Sequence, residues 1–337
     1  FDAYADAIAT IATTAAPSAI QNNLGISVKL SALHPRYEAT QQEVMLTEMV
    51  ERLLILVKAA AAAGIGFNID AEESDRLDLS LAVSEKVLSD PSLQDWDGFG
   101  VVVQAYSKRA PHVLNWLYTL AGVLNRRIMV RLVKGAYWDS EIKHAQVLGL
   151  RDYPVFTRKA HTDVSYLVCA RQLLEMRDRI YPQFATHNAH TAAAVLYMAG
   201  EDRDHFEFQR LHGMGEALHE ELRNRSGARC RIYAPVGAHR DLLAYLVRRL
   251  LENGANSSFV HQIVDESISP EDIARDPIEV AKEIRFSANP SIPRPVDIFG
   301  DRRNAKGWNL NDSTDLVTIE QARFPFASPH QWFGRPM

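Results

Sequence analysis

Four polar side chains, Lys29, Asp70, Gln104 and Arg131, stand near the ends of short apolar runs, and each falls out of phase with its apolar neighbours. Around Lys29 the apolar set is Ile26, Val28 and Leu30; around Asp70 it is Phe67 and Ile69. Gln104 alternates with Val101 and Val103, and Arg131 with Ile128, Val130 and Leu132. Side chains alternate faces along a strand, so the four share the face that the apolar residues leave. Two cations, a carboxylate and an amide gathered at one place suit a charged or polar small molecule, because burying them without partners is costly. Each alone is as readily explained by an internal ion-pair network; the convergence of all four favours a ligand. A second cluster lies in 239–252. At helical spacing Tyr245, Arg248, Arg249 and Glu252 share one face, and Leu243, Leu246, Val247 and Leu250 share the other. By pattern alone, the polar face is expected to be solvated and tied by intrahelical ion pairs. Set over a cavity mouth, the paired arginines would instead form a fork for a carboxylate or phosphate.

Other signals are weaker. Gly64-x-Gly66 and Gly213-x-Gly215 lack the third glycine of a dinucleotide fingerprint. His187 and His190 have no nearby carboxylate or cysteine to complete a metal site, so cap or core histidines are expected and no metal is. No G-x-S-x-G elbow occurs. Lys29 or Lys134 at a strand end could form a Schiff base with a carbonyl substrate, which leaves a lyase or aldolase open.

These residues need elements to hold them. Strands are expected at 26–32, 66–71, 100–106, 128–134, 183–186, 206–211 and 231–234. Helical patterns at 42–63, 77–88, 111–124, 163–179 and 239–252 fall between or after them, and an amphipathic stretch (Tyr4, Ile8, Ile11) opens the chain. Strand and helix in alternation predict a parallel sheet, and seven or eight units predict a closed (βα)8 barrel, an α/β fold of the TIM type. The inward polar residues then lie toward the C-terminal strand ends, where barrel enzymes build their sites. Segment 257–263 is a weak candidate for an eighth strand. From 285 to 312 the pattern dissolves into Pro, Asn, Gly and Arg, so 285–337 is expected to be a linker or docking arm after a barrel domain of 1–284, with a short helix at 314–323.

Composition bounds the rest. The 337 residues are 47% hydrophobic, which excludes a disordered chain and supplies a sizeable core. A net charge of −5 without a basic stripe argues against nucleic acid as a partner. Two cysteines, Cys169 and Cys230, exclude a disulfide scaffold and fit a reducing compartment. The most apolar stretch, 53–67, carries Lys58 and is too short to span a membrane. Asp2 and Asp6 stand where a signal peptide would be positive, and the natural protein is expected to continue beyond both ends.

With these residues assembled, the sequence resembles the proline dehydrogenase domain of the bacterial proline utilization A flavoenzymes. The matching stretches are 27–37 (SVKLSALHPRY), 68–77 (NIDAEESDRL), 131–141 (RLVKGAYWDSE), 156–167 (FTRKAHTDVSYL), 184–190 (FATHNAH), 206–216 (FEFQRLHGMGE) and 231–259. The resemblance implies a distorted (βα)8 barrel holding FAD non-covalently. It implies oxidation of L-proline to Δ1-pyrroline-5-carboxylate, the first step of proline catabolism, with electrons passed to a ubiquinone-type acceptor in the membrane. It further implies a cytoplasmic protein, peripheral to the inner membrane at full length, whose chain continues into an aldehyde dehydrogenase half.

Residue by residue, Lys29, Arg248 and Arg249 resemble the clamp on the proline carboxylate, with Tyr245 beside them. Tyr233 resembles the side chain that packs on the proline ring. Arg131 resembles the arginine beside the flavin N5, and Asp70 the second catalytic-site residue that holds this network. Gln104, Val133, Gly135, Tyr137 and Trp138 match positions around the FAD, Trp138 against the adenine. So do Thr157, Lys159, Thr186, His187, Asn188 and Glu252. One departure stands out: the family's barrel begins with a strand bearing a D-x-x-G-E pattern ahead of the Tyr4–Ile11 stretch, and no residues here match it. A non-catalytic amino-acid-binding module, keeping the arginine fork without a cofactor, is the third reading.

Overall fold

The structure, a computed structural model, describes residues 1–254, 262, 265, 267–328, 331 and 333–334. Seven strands form one parallel sheet in sequential order: β1 (Gly25–Val28), β2 (Gly66–Ile69), β3 (Phe99–Gln104), β4 (Ile128–Val133), β5 (Ile180–Ala185), β6 (Glu207–Leu211) and β7 (Cys230–Tyr233). Parallel neighbours require a crossover, and helices supply it. After a leading α1 (Asp2–Ala12) these are α2 (Gln42–Ala62), α3 (Leu77–Leu88), α4 (Ala110–Val123), α5 (Trp138–Leu148), α6 (Lys159–Glu175), α7 (Ala189–Ala199) and α8 (Glu216–Ser226), with α9 (His239–Gly254) after β7.

The outward strand phase carries the main core. Phe67, Ile69, Val130, Leu132, Phe184 and Phe208 are fully buried beneath the helices. Phe184, Phe206 and Phe208 form an aromatic knot with ring centres 5.7–6.3 Å apart. Inside the sheet the lower layer is polar and centres on one carboxylate, while the buried Gln183 and Gln209 amide oxygens have no partner among the described residues. The buried Glu207 carboxylate accepts from Gln183 Nε2 (3.1 Å), Gln209 Nε2 (2.6 Å) and, in two bonds, Arg231 (2.8 and 3.0 Å). A buried charge is tolerable when paired and hydrogen-bonded in this way. The internal ion-pair network thus describes this layer.

The sheet curls until β7 stands beside the segment leading into β1. Arg231 donates to the Asn23 and Gln21 carbonyls at 2.6 and 2.8 Å, and Arg229 to Asn22 Oδ1 at 3.2 Å. Side chains, not a backbone ladder, cross this seam. Seven strands therefore stand where eight were expected among the described residues; the candidate 257–263 lies outside them but for Gln262.

Element ends differ in instructive ways. The expected strand at 26–32 stops at Val28, and Leu30–Ala32 turn into a 3₁₀ helix, yet Lys29 stays extended (φ −93°, ψ 126°) and keeps its inward phase. Asp70 follows β2 but remains in register, its N–H donating to Val28 O at 2.9 Å. Strand β5 begins three residues before the expected 183 and runs through Pro182. Helix α6 starts at Lys159 and ends at Glu175 rather than spanning 163–179.

Between 286 and 311 the chain docks on the barrel as an arm. Tyr153 OH donates to Pro293 O (2.7 Å), Asn304 Nδ2 to Gln146 O (2.9 Å) and Gly307 N to Leu148 O (2.6 Å). Gly149, which ends α5 at φ +57°, lies so near the arm that a Cβ there would stand 1.9 Å from Ala305 O. Only glycine suits both the left-handed turn and that approach.

Candidate functional site

The inward strand phases open into a cavity of about 570 Å³ at the C-terminal strand ends. Lys29, Asp70, Gln104, Arg131, Val133 and Tyr233 line it from β1, β2, β3, β4 and β7 or from the residues just after them. Arg131 Nη1 donates to Asp70 Oδ1 at 3.2 Å, and its Nη2 to Ser27 Oγ at 2.8 Å. Lys29 Nζ lies 3.6 Å from Asp70 Oδ2 and donates to Tyr137 OH at 3.3 Å. Asp70 thus aligns two cations from strands on either side of its own. Burial pulls the Lys29 ammonium down, but Asp70 and Tyr137 outweigh it and leave its pKa above the ordinary lysine value.

Tyr233 lies under the Arg131 guanidinium, whose carbon is 5.0 Å from the ring centre. Burial pushes the Tyr233 hydroxyl up to about 12, against the pull of Arg131 and Arg249, so it stays protonated at neutral pH. Arg131 Nε is buried and has no hydrogen-bond partner among the described residues.

Helix α9 corrects the pattern-based expectation. Its polar face is not solvated: Tyr245, Arg248 and Arg249 are partly buried and line the cavity, while Leu243 and Leu250 on the apolar face are 62% and 71% exposed. The helix crosses the mouth with its polar side turned in, so amphipathicity reads backwards. Arg248 stacks over Tyr137 and Arg249 over Tyr245, each 5.4 Å from guanidinium carbon to ring centre. Such stacking orients each fork without using its hydrogen-bond donors. The Glu252 side chain lies outside the described residues.

At the other end of the cavity stand Gly135, Trp138, Thr157, Arg158, Lys159 and Lys134. Gly135 has φ +137°, and a Cβ there would stand 2.4 Å from the Tyr106 ring, so a side chain is excluded. Trp138 Nε1 donates to Phe156 O at 2.8 Å, which fixes the indole. Lys159 Nζ reaches Asp163 Oδ2 at 2.6 Å, and Lys134 bonds the same carboxylate. Burial raises the Asp163 carboxyl, yet both ammonium groups outweigh it and hold it below the usual carboxylate range. Three cations beside the N-terminus of α6 make an anion-binding end. The arm reaches this end too. Asn289 N donates to Thr157 Oγ1 (3.1 Å), Arg158 Nε donates to Ser287 O (2.9 Å), and Phe286 stacks on His161 at 6.4 Å.

His187 is neither the cap nor the core histidine its pattern suggested. It lines the cavity with Thr186 and Asn188, of which Asn188 is the residue that caps α7. Leu211 N–H donates to His187 Nε2 at 3.1 Å, so Nδ1 carries the proton. Burial, with His219 and two arginines adding to it, lowers His187 to about 4. Behind it His219 Nε2 donates to Thr186 O (2.9 Å), and the Cys230 thiol lies 3.2 Å from its Nδ1.

All the sequence-derived site residues with described side chains meet in this one cavity; the Glu252 side chain lies outside the described residues. Several wall or support residues were missed. Ser27 shares the polar phase with Lys29, so alternation alone would have found it. Tyr4 OH accepts from Lys29 N (3.2 Å) across 25 residues, and no local signal marks that contact. Arg158 and Asp163 carry no pattern that separates them from surface charge. No group of three His, Cys, Asp or Glu among the described residues is placed to hold a metal.

The proline dehydrogenase family model matches residues 1–262. The chain belongs to the proline dehydrogenase family. Its similarity to the bifunctional protein PutA of Salmonella typhimurium is 47% identity over 348 residues, covering 99% of this chain and 26% of that protein. With PutA of Rhizobium meliloti identity is 51% over 329 residues, covering 95% and 27%. A crystal structure of Bradyrhizobium japonicum proline utilization A superposes with a TM-score of 0.93 at 53% identity, over 96% of this chain and 33% of that one. The chain spans about a quarter of the length of the curated relatives it matches. The family explains the curled parallel sheet as a distorted TIM-like barrel. No helix among the described residues is long and apolar enough to cross a membrane.

Proposed function

We propose that this chain is an FAD-dependent proline dehydrogenase domain that oxidises L-proline to Δ1-pyrroline-5-carboxylate. One observation carries the reading: an arginine pair and a lysine converge with an Arg131–Asp70 pair on a single cavity that ends in a separate cluster of cations. A compact amino acid needs the first set, and a long anionic cofactor needs the second.

The residues fit FAD. The orphaned Arg131 Nε suits an electron-rich ring, the fixed indole of Trp138 suits the adenine, and Lys159 with Arg158 at the start of α6 suits a diphosphate. Gln104, Val133, Gly135, Tyr137, Thr157, Thr186, His187, Asn188 and Glu252 would complete the cofactor's surroundings. When bound, FAD supplies the two-electron acceptor for the hydride leaving proline C5, while one proton leaves the ring nitrogen and a C=N bond forms. Lys29, Arg248 and Arg249 hold the substrate carboxylate, and Tyr233 and Tyr245 bound the ring. Arg131 contributes positive charge that favours the reduced, electron-rich state. Asp70 keeps Arg131 and Lys29 in register.

A Schiff-base lyase is less well supported. A nucleophilic lysine needs a lowered pKa, whereas Asp70 and Tyr137 leave Lys29 above its ordinary value, and Lys134 is bonded to Asp163. In the same reading, 1–284 is the barrel domain and 285–337 an extension toward an aldehyde dehydrogenase half. A membrane ubiquinone-type acceptor takes the electrons, and the protein is cytoplasmic. A visible spectrum of the purified protein before and after anaerobic addition of L-proline tests the activity. An oxidised-flavin band that bleaches supports the reading; a flavin band that persists at saturating proline overturns it.

A further inference from the structure

Glu72 does not line the large cavity, yet it touches the loops that carry two of its charged residues. Its Oε1 accepts from Ser31 N (3.1 Å), and its Oε2 accepts from the Ser31 hydroxyl and from Arg76 Nη1 (3.1 Å). Ser31 lies two residues after Lys29, in the 3₁₀ turn that follows β1, and Glu72 lies two residues after Asp70. Its own carbonyl accepts from Gln104 Nε2 at 2.8 Å, and Gln104 Oε1 accepts from Ala136 N at 3.4 Å. Next to Ala136, Tyr137 accepts from Lys29 Nζ at 3.3 Å. The bonds form a closed circuit around the mouth, from the end of β1 to those of β2, β3 and β4 and back through Tyr137 to Lys29.

We propose that Glu72 is the positioning residue of this circuit, setting the Lys29 ammonium against Asp70 and Tyr137 by pinning the Ser31 turn to the β2 loop. The need for such a tie is physical. Strand β1 has four residues and ends before Lys29, and the four-carbon stem of a lysine has many rotamers to lose. Nothing in the ladder holds the Leu30–Ala32 turn to its neighbour; Glu72 does. The inference rests on the proposed proline oxidation for its kinetic consequence but not for its chemical one, so the two can be tested apart.

The experiment compares wild type, Glu72→Ala, Glu72→Gln and Ser31→Ala in the full-length protein. The kinetic arm follows flavin reduction by proline. Glu72→Ala should raise the apparent KM for proline roughly tenfold, because a clamp residue misplaced by a fraction of an ångström loses charge-assisted contact. Flavin content and kcat should change far less. Glu72→Gln, which keeps an oxygen for Ser31, should recover most of the loss. The chemical arm measures acetylation of Lys29 by limiting acetic anhydride with peptide mass spectrometry. It should rise about threefold in Glu72→Ala and less in Ser31→Ala, which removes only the hydroxyl bond. An unchanged Lys29 labelling rate in both variants overturns the proposal whatever proline does. Loss of flavin, stability and kcat together in Glu72→Ala, with no change in Ser31→Ala, also overturns it, since Glu72 would then be structural. A wild type that labels as expected but does not bleach with proline would instead overturn the proposed function.

Discussion

Arg131 on β4 and Tyr233 on β7 meet across the barrel, with the guanidinium carbon 5.0 Å from the ring centre, while Asp70 holds the same guanidinium from β2. One arginine is thus fixed by an aromatic face and a carboxylate from two other strands. Its Nη groups bond Asp70 and Ser27, and its Nε is left without a partner among the described residues.

Arg131→Met should leave FAD bound but slow flavin reduction by proline by roughly two to three orders of magnitude, the usual loss for removing a preorganised charge. Anaerobic stopped-flow reduction measures it. A fall of less than threefold would remove Arg131 from the chemistry.

Tyr233→Ser should relax discrimination between proline and ring-substituted prolines by opening space beside the ring, at about 1–3 kcal/mol of selectivity. The ratio of kcat/KM values for proline and hydroxyproline reports it, and an unchanged ratio would end the packing role.

Arg248→Ala and Arg249→Ala should each raise the KM for proline about 10- to 100-fold, with a smaller effect on kcat, since each removes a charge-assisted bond worth about 1.5–3 kcal/mol. Steady-state kinetics at saturating acceptor checks this. Wild-type KM in both variants would sink the carboxylate clamp.

His187 gives a pH prediction. Its folded pKa is depressed to about 4, while an unfolded histidine titrates near 6.5, so the unfolded chain takes up the proton first as pH falls. The stability tied to neutral His187 is full above pH 6.5 and is lost as pH drops toward 4, by roughly 2–4 kcal/mol in all. Urea unfolding from pH 7 to 4 should show wild type losing that much more than His187→Gln, which keeps an acceptor for the Leu211 amide. Parallel losses in the two proteins would contradict it.

Phe286→Ala should weaken FAD binding about three- to tenfold by removing the ring stacked on His161, a contact worth about 0.5–1.5 kcal/mol, and so loosening the Thr157–Arg158 end. Flavin release measured by fluorescence after dilution would reveal it. Unaltered retention would mean that the arm only rests on the barrel.

Much of this was legible in the chain because period-2 alternation carries direction. Once Val28, Ile69, Val103 and Leu132 are read as outward, Lys29, Asp70, Gln104 and Arg131 must face inward, and they do. Where Lys29 and Asp70 outran their strands, the extended backbone preserved the phase, so the reading survived wrong boundaries. Helix α9 shows the limit: its two faces are plain in the sequence, but only the neighbouring mouth decides which one turns in.

The sequence by itself determined the parallel α/β architecture, the polar inward phase and the family, because these are written in local periodicity and in contiguous motifs. The tertiary structure alone decided which residues share a wall. Lys29 meets Tyr137 across 108 positions, and Phe286 reaches His161 from an arm that reads as linker. The buried polar floor of Glu207 and Arg231, and the seam it helps to bridge, arise when the sheet curls and its edges approach. Such contacts depend on curvature and loop path, which no residue pattern along one strand records.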